Sequence, residues 1–194
     1  LTLADNTTNT ITDSSRLSTE EDYSAAIYSK EDLIINGNGT LNVNAGYRNG
    51  IKSTDDCIIV SGTLNITSTE DGIIGKDLCG IVAGDININA GSDGVKSTYD
   101  TDTTKGNVII EGGNITIKAS NDGIQAENIL VINDGTINIK TNNGAADTTQ
   151  THIDNMDMGR GGFGFNNNKT TTTTDDTSES RKGIKAGNML IIND

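Results

Sequence analysis

Aspartates recur along this chain, each directly before a glycine. Asp71, Asp93 and Asp122 show the pattern, and the first two lie 22 residues apart. If that interval is one coil of a stacked structure, the three carboxylates line one corner and repel each other unless a cation or a lysine lies between them. Oxygen-rich turns suit Ca²⁺, so the pattern predicts a calcium site. Asp-Gly is also a dipeptide that favours tight turns. The residue pattern alone therefore does not distinguish a calcium site from an ordinary turn.

Other acidic residues lie close enough in the sequence to complete such sites. The additional predicted metal ligands are Glu70, Asp77, Asp100 and Glu127.

Basic and amide side chains follow the same glycines, at positions expected to face outward. The predicted carbohydrate-binding residues are Lys52, Lys96, Tyr99, Gln125 and Lys185. Beside a bound cation, such a stripe would hold an anionic sugar, with the metal bridging a uronate carboxylate to the protein. Lys96 or Lys76 would instead act as a base if the metal lowered its pKa. The alternative is that each lysine only offsets its neighbouring aspartates.

A repeat of roughly 22 residues would position these side chains. One Ile or Val follows each turn glycine, an alternating apolar pair comes next, and a second pair follows a Gly-centred turn. Ile51, the pair Cys57 and Ile59, and the pair Leu64 and Ile66 form one such coil. Alternation buries one face of each strand and leaves Asn, Thr, Lys or Asp on the other. Three strands per coil predict an all-β right-handed parallel β-helix, a solenoid whose coils stack about 4.8 Å apart.

The repeat also predicts the domain organisation. Residues 1–194 form a single β-helix domain, in which residues 98–106 are a corner insertion and residues 147–180 are a flexible, low-complexity insertion. The chain starts and stops part-way through a coil, so we expect it to be part of a longer solenoid. Open coils at the ends would also allow end-to-end self-association.

The two cysteines share one position in neighbouring coils. Cys57 and Cys79 are 22 residues apart, so they should be stacked inward neighbours. Parallel partners in register aim their Cβ atoms alike, which strains a disulfide. A buried pair of thiols is the favoured interpretation and a disulfide the alternative.

Composition excludes two classes of partner. The net charge of -13 argues against nucleic-acid binding, which needs clustered Lys and Arg. The sequence lacks the run of about eighteen apolar residues that membrane insertion requires.

Several segments carry a family resemblance, among them AAIYSKEDLIINGNGTLNV, NDGIQAENILVINDGTINI and RKGIKAGNMLIIND. They resemble the carbohydrate-binding β-helix domains of secreted clostridial proteins, which are similar to polysaccharide lyase family 9. The resemblance implies an extracellular or cell-surface, calcium-containing β-helix that binds cellulose or an acidic polysaccharide such as pectin. The related lyases bind calcium through aspartates on adjacent coils, which Asp71, Asp93 and Asp122 match, and they use a lysine base, for which Lys96 is nearest. The denser Asp-Asp-x-x-Asp cluster of the lyases is not found around these turns.

Three functions are therefore predicted, in order of preference. The first is a noncatalytic, calcium-stabilised protein that binds plant cell-wall polysaccharide. The second is a calcium-dependent pectate-type lyase that cleaves by β-elimination, and the third is a structural rod or fibre subunit built from stacked coils.

Overall fold

The structure is a computed structural model that describes residues 1–14, 24–141 and 181–193. In these residues the chain forms nineteen strands, which are arranged in three parallel sheets. Successive strands enter the three sheets in turn, so each coil contributes one strand to each sheet. No helix in the described ranges is long and apolar enough to cross a membrane.

The three sheets are named in the order in which the chain first enters them. Sheet I contains β1 (Thr2–Leu3), β4 (Leu33–Gly37), β7 (Asp56–Ile59), β10 (Leu78–Ile81), β13 (Asn107–Ile110), β16 (Ile129–Ile132) and β19 (Met189–Ile192). Sheet II contains β2 (Thr8–Asp13), β5 (Thr40–Ala45), β8 (Thr63–Ser68), β11 (Asp85–Ala90), β14 (Asn114–Ala119) and β17 (Thr136–Thr141). Sheet III contains β3 (Ala25–Ser29), β6 (Asn49–Ser53), β9 (Ile73–Gly75), β12 (Val95–Ser97), β15 (Ile124–Ala126) and β18 (Ile184–Ala186).

This architecture confirms the predicted all-β parallel β-helix with three strands per coil. A right-handed winding stays an expectation, supported by the hand that parallel crossovers nearly always take. The corner insertion at 98–106 falls between β12 and β13, and the register resumes after it, with Val108 opposite Cys79. The predicted insertion at 147–180 lies outside the described residues, and continuation of the solenoid beyond this chain stays a prediction.

The core is a set of aliphatic stacks inside the three sheets. Ile51, Ile73, Val95 and Ile124 stack in register in sheet III, and each is fully buried. Sheets I and II contribute similar stacks, which join these residues in one continuous apolar cluster. No single coil could bury these residues, so their stability depends on the coils above and below.

The two cysteines are stacked neighbours in adjacent coils, as predicted. Cys57 lies directly opposite Cys79 between β7 and β10, and both are buried free thiols. Burial raises the pKa of the Cys79 thiol to about 12, and burial likewise raises the pKa of Cys57 well above its usual value. The pair therefore packs as small apolar side chains.

The glycine of the repeated turn is required by close approach between coils. A Cβ on Gly94 would lie 2.4 Å from Ile117 Cγ2 and 2.5 Å from the carbonyl oxygen of Gly123. Gly50, Gly72 and Gly123 are crowded in the same way by the next glycine of the stack. The Gly-Ile signature of the repeat thus reflects a corner without space for a side chain.

The outward faces are not uniformly polar, contrary to the sequence-based expectation. Sheet II shows Asn, Thr and Lys, but the outward row of sheet I is largely apolar. In register, that row contains Ile34, Ile58, Gly80, Ile109, Val131 and Ile191. Ile34 is 47% exposed, so apolar character alone did not distinguish inside from outside in sheet I.

Candidate functional site

The repeated aspartates line one corner of the solenoid, the aspartate corner (Asp71, Asp93 and Asp122). Each uses one carboxylate oxygen to accept a backbone N–H from the next coil. Asp71 accepts from Asp93 N at 2.9 Å, Asp93 from Asp122 N at 2.9 Å, and Asp122 from Lys182 N at 2.7 Å. Asn49 begins the ladder by accepting from Asp71 N at 3.0 Å. These side chains therefore join consecutive turns.

Lysines from sheet III neutralise the remaining carboxylate oxygens of the aspartate corner. Lys96 Nζ lies 2.6 Å from Asp93 Oδ2 and 3.9 Å from Asp71 Oδ2. Lys185 Nζ lies 3.6 Å from Asp122 Oδ2. Asp93 is completely buried and Asp122 nearly so, which makes a positive partner necessary. This is the arrangement in which lysines offset the repelling aspartates.

The protonation state of Lys96 follows from these contacts. Burial alone would lower its pKa, but attraction by Asp71 and the hydrogen bond and charge of Asp93 outweigh burial, and the pKa is raised. Lys96 is held as an ammonium ion, the form that binds carboxylates rather than the form that removes protons.

The other predicted metal ligands are dispersed. Glu70 pairs with Arg48 at 3.7 Å, and Glu127 accepts a hydrogen bond from Gln125 at 2.8 Å. Asp100 is exposed in the corner insertion, and Asp77 is bound to Lys105 at another corner. In the described part of the chain, the predicted ligands do not converge as three carboxylates on one point.

A different group of carboxylates does converge, the acidic triad (Asp32, Asp55 and Asp56). Carboxylate oxygens of all three lie within 4.8 Å of one another at the corner between sheets III and I, so the triad can hold a metal ion. Asp32 and Asp56 occupy the same place in adjacent coils, each just before the paired residues Leu33 and Cys57. The backbone N–H of Asp56 also donates to Asp32 Oδ1 at 3.3 Å.

Crowding of negative charge raises the pKa values of Asp55 and Asp56. The pKa of Asp56 is raised by burial and then by the charges of Asp32, Asp55 and Asp77. The pKa of Asp55 is raised first by its hydrogen bond with Asp77, then by burial and by neighbouring carboxylates. The group therefore favours a proton or a cation over three free negative charges.

A cationic and aromatic group adjoins the triad, the tyrosine cluster (Lys76, Tyr99 and Lys105). Lys76 Nζ lies 4.9 Å and Lys105 Nζ 5.1 Å from the centroid of the Tyr99 ring. Lys105 also binds Asp77, whose backbone N–H donates to the carbonyl oxygen of Asp55 at 3.2 Å. The corner insertion carries Tyr99 and Lys105, so it completes a network running from the triad to two ammonium groups beside a ring.

Comparison with known proteins places the chain in a family. A family model described as carbohydrate-binding domain-containing protein matches residues 1–194. The chain belongs to this family. The family resemblance found in the sequence is therefore confirmed.

Two relatives of this carbohydrate-binding domain share parts of its sequence or fold. A carbohydrate-binding domain-containing protein from Acetivibrio thermocellus is 38% identical over 68 residues, which make up 33% of this chain and 24% of that protein. The polysaccharide lyase-like protein from C. thermocellum, solved as a gadolinium derivative, has a TM-score of 0.75 at 27% identity. That match covers 100% of this chain and 64% of the other. The domain thus spans about a quarter of the curated relative and is polysaccharide lyase-like in structure.

The predicted sugar-binding stripe forms in register in the domain. Lys52, Ile74, Lys96, Gln125 and Lys185 are successive neighbours across sheet III. Gln125 is only 7% exposed and Lys96 is engaged by aspartates, which limits their contact with a ligand. Tyr99 belongs instead to the tyrosine cluster.

Sequence reasoning missed Asp32, Asp55, Asp56 and Lys105. A signal for Asp32 and Asp56 was present, because they precede equivalent apolar pairs in consecutive coils. Nothing in the repeat marks Lys105, which the corner insertion brings to Asp77.

Proposed function

We propose that the domain is a noncatalytic module that binds acidic plant cell-wall polysaccharide with the help of calcium, outside the cell or at its surface. The observation that carries this proposal is that Asp77 joins the acidic triad to the tyrosine cluster, through its backbone hydrogen bond to Asp55 and its ion pair with Lys105. One end offers carboxylate oxygens to a cation, and the other offers two ammonium groups beside an aromatic ring.

Calcium fits the chemistry of the triad. Its donors are all carboxylate oxygens, the ligands that hard cations prefer. Asp32 and Asp55 lie outside the strands, where the geometry can adapt. Bound there by Asp32, Asp55 and Asp56, Ca²⁺ would offset the crowded charge and attract a uronate carboxylate.

The tyrosine cluster suits an acidic sugar better than cellulose. Lys76 is exposed, lies on the ring of Tyr99 and can pair with a carboxylate, while the ring offers a surface for sugar C–H groups. Cellulose carries no charge and would use only the ring. Pectin-type glycan is therefore the preferred ligand.

Binding is favoured over β-elimination because of the state of Lys96. A base must be deprotonated, and the ion pairs with Asp93 and Asp71 raise the pKa of Lys96. A lyase would release unsaturated product, which absorbs in the ultraviolet, so we expect no absorbance increase when the domain is mixed with polygalacturonate at alkaline pH.

Calorimetric titration with an oligogalacturonide and with a cello-oligosaccharide, each in Ca²⁺ and in EGTA, tests the proposal. We expect the oligogalacturonide to bind more tightly in Ca²⁺. Asp56→Asn should remove this dependence, and Lys76→Gln should weaken binding in both buffers. Glu111→Gln is the matched control, since Glu111 is exposed, lies outside the network, and Gln can still accept from Asn133. Equal affinity for the two sugars, or a calcium effect that Asp56→Asn leaves intact, would contradict the proposal.

A further inference from the structure

The outward face of sheet II carries an ordered ladder of amides. Asn65 Nδ2 donates to Asn42 Oδ1 at 2.9 Å, and Asn87 Nδ2 donates to Asn65 Oδ1 at 3.1 Å. Asn42 Nδ2 in turn donates to Thr10 Oγ1 at 3.3 Å. The ladder fixes exposed amides in a row along the solenoid axis, one per coil.

These amides keep hydrogen-bonding capacity for a ligand. A carboxamide has two N–H donors and an oxygen with two lone pairs, and the ladder uses one donor and one lone pair of Asn65. The remaining donor and lone pair suit hydroxyl groups, which both donate and accept. Because neighbouring amides restrain one another, little side-chain entropy is lost on binding.

Two lysines continue this face in the following coils. Lys118 of β14 lies directly opposite Lys140 of β17, and both are exposed. Like charges placed opposite each other are destabilising in a sheet. Neither lysine forms an ion pair with any described residue, although the chain carries a net charge of -13. A bound anion would relieve the repulsion.

Two adjoining depressions connect the lysines to the amides. One, of about 290 Å³, is lined by Asn89, Lys118 and Lys140 among others. The second, of about 220 Å³, is lined by Asn65, Asn87 and Lys118 among others. They share Asn89 and Lys118, so positive charge and amides border one continuous shallow track.

We infer that this track on sheet II is a second glycan-binding surface, which takes a uronate-bearing polysaccharide along the solenoid axis. Lys118 and Lys140 bind its carboxylates, and the asparagine ladder binds its hydroxyl groups. The choice of an acidic polysaccharide rests on the proposed function. The residues that line this track include no acidic side chain, so binding here needs no metal ion. The track lies on a different sheet from the predicted lysine stripe.

The test is titration with an oligogalacturonide in EGTA and in a Lys76→Gln background. EGTA removes the calcium contribution of the first site, and Lys76→Gln weakens the affinity that its tyrosine cluster retains. The double variant Lys118→Gln, Lys140→Gln should weaken binding by up to about fivefold per lysine, the upper end for an exposed charge pair. Arg48→Gln with Arg181→Gln removes the same charge elsewhere and should leave binding unchanged. Asn87→Ala should weaken binding of both the oligogalacturonide and its carboxyl-reduced, neutral form. Matching circular dichroism and melting curves show that each variant is folded.

The outcomes separate this inference from the proposed function. If the wild type binds only in Ca²⁺, or binds in EGTA with no loss in the lysine variant, the second surface is refuted while the calcium-assisted site stands. An equal loss of affinity in the arginine control also refutes it, because the loss then depends on the net charge of the protein and not on this surface. If binding in EGTA needs both lysines but calcium adds nothing, the second surface stands and the calcium-assisted site fails.

Discussion

Asp93 shows how one residue serves two roles at the aspartate corner. Its Oδ1 accepts the backbone N–H of Asp122 at 2.9 Å and the side-chain amide of Asn121 at 2.8 Å, while its Oδ2 pairs with Lys96. It is fully buried, so both roles depend on partners inside the protein. The Asp-Gly dipeptide thus combines turn chemistry with charge neutralisation.

Substitution of Asp93 should separate these two roles. Asp93→Ala leaves the N–H of Asp122 and the Lys96 ammonium without their partner, and we expect a loss of about 3 kcal/mol in the free energy of unfolding. Asp93→Asn retains an oxygen acceptor and should cost about 1 kcal/mol. Urea denaturation measures both values. Equal destabilisation by the two substitutions would mean that the backbone hydrogen bond contributes little.

The stacked thiols should be unreactive in the folded protein. Burial raises the pKa of Cys79 to about 12, so the nucleophilic thiolate is scarce at neutral pH. We expect iodoacetamide to modify Cys57 and Cys79 only after unfolding, as measured by mass spectrometry with and without denaturant. Rapid labelling of the native protein would show that the stack opens.

At the scale of the element, the glycine stack sets how closely consecutive corners approach. Gly94 has a carbonyl oxygen and an Ile methyl group in the space that a Cβ would occupy, whereas Gly183, at the same place in the last described coil, has nothing within 4 Å. Glycine is therefore required at this position of the repeat only where another coil packs against it.

This difference provides a matched pair of substitutions. Gly94→Ala should destabilise the protein by about 1–3 kcal/mol, the usual cost of overpacking, because the corner must move apart. Gly183→Ala should be nearly neutral. Urea denaturation of the two variants measures the change in the free energy of unfolding. A similar loss for both would indicate a general preference for glycine rather than a steric requirement.

At the scale of the whole molecule, the acidic triad makes the stability of the fold depend on pH. The pKa values of Asp55 and Asp56 are raised in the folded protein. The folded state therefore holds these protons to a higher pH than the unfolded chain does, and the triad's contribution to stability falls as pH rises above about 3.8. A cation that binds the ionised triad opposes this loss.

We therefore expect Ca²⁺ to raise the melting temperature at pH 7 and to have little effect near pH 4. Binding to the folded state alone adds about 2.7 kcal/mol when free ligand is at roughly 100 times Kd. Asp56→Asn should raise the melting temperature in EGTA and reduce the calcium response, with Glu111→Gln as control. Scanning calorimetry at the two pH values tests this, and a calcium effect that is unchanged in Asp56→Asn would place the ion elsewhere.

The sequence by itself determined the coil. Period-two alternation and a regular interval establish strands, their register and stacked neighbours, because identical positions in successive coils must coincide in a parallel solenoid. Cys57 opposite Cys79 and the row from Lys52 to Lys185 follow from that rule alone. The family resemblance rested on the same segments.

Only the tertiary structure decided which polar groups meet across corners. Side chains of Asp32, Asp55 and Asp56 converge, and the corner insertion brings Lys105 to Asp77 and Tyr99. The repeat gives the coil to which a residue belongs but not the direction of its side chain at a turn, nor the path of an insertion. For the same reason, the residue pattern at Asp93 fitted calcium and turn chemistry equally, and the flanking acids favoured calcium. The structure shows a backbone hydrogen bond and a lysine there.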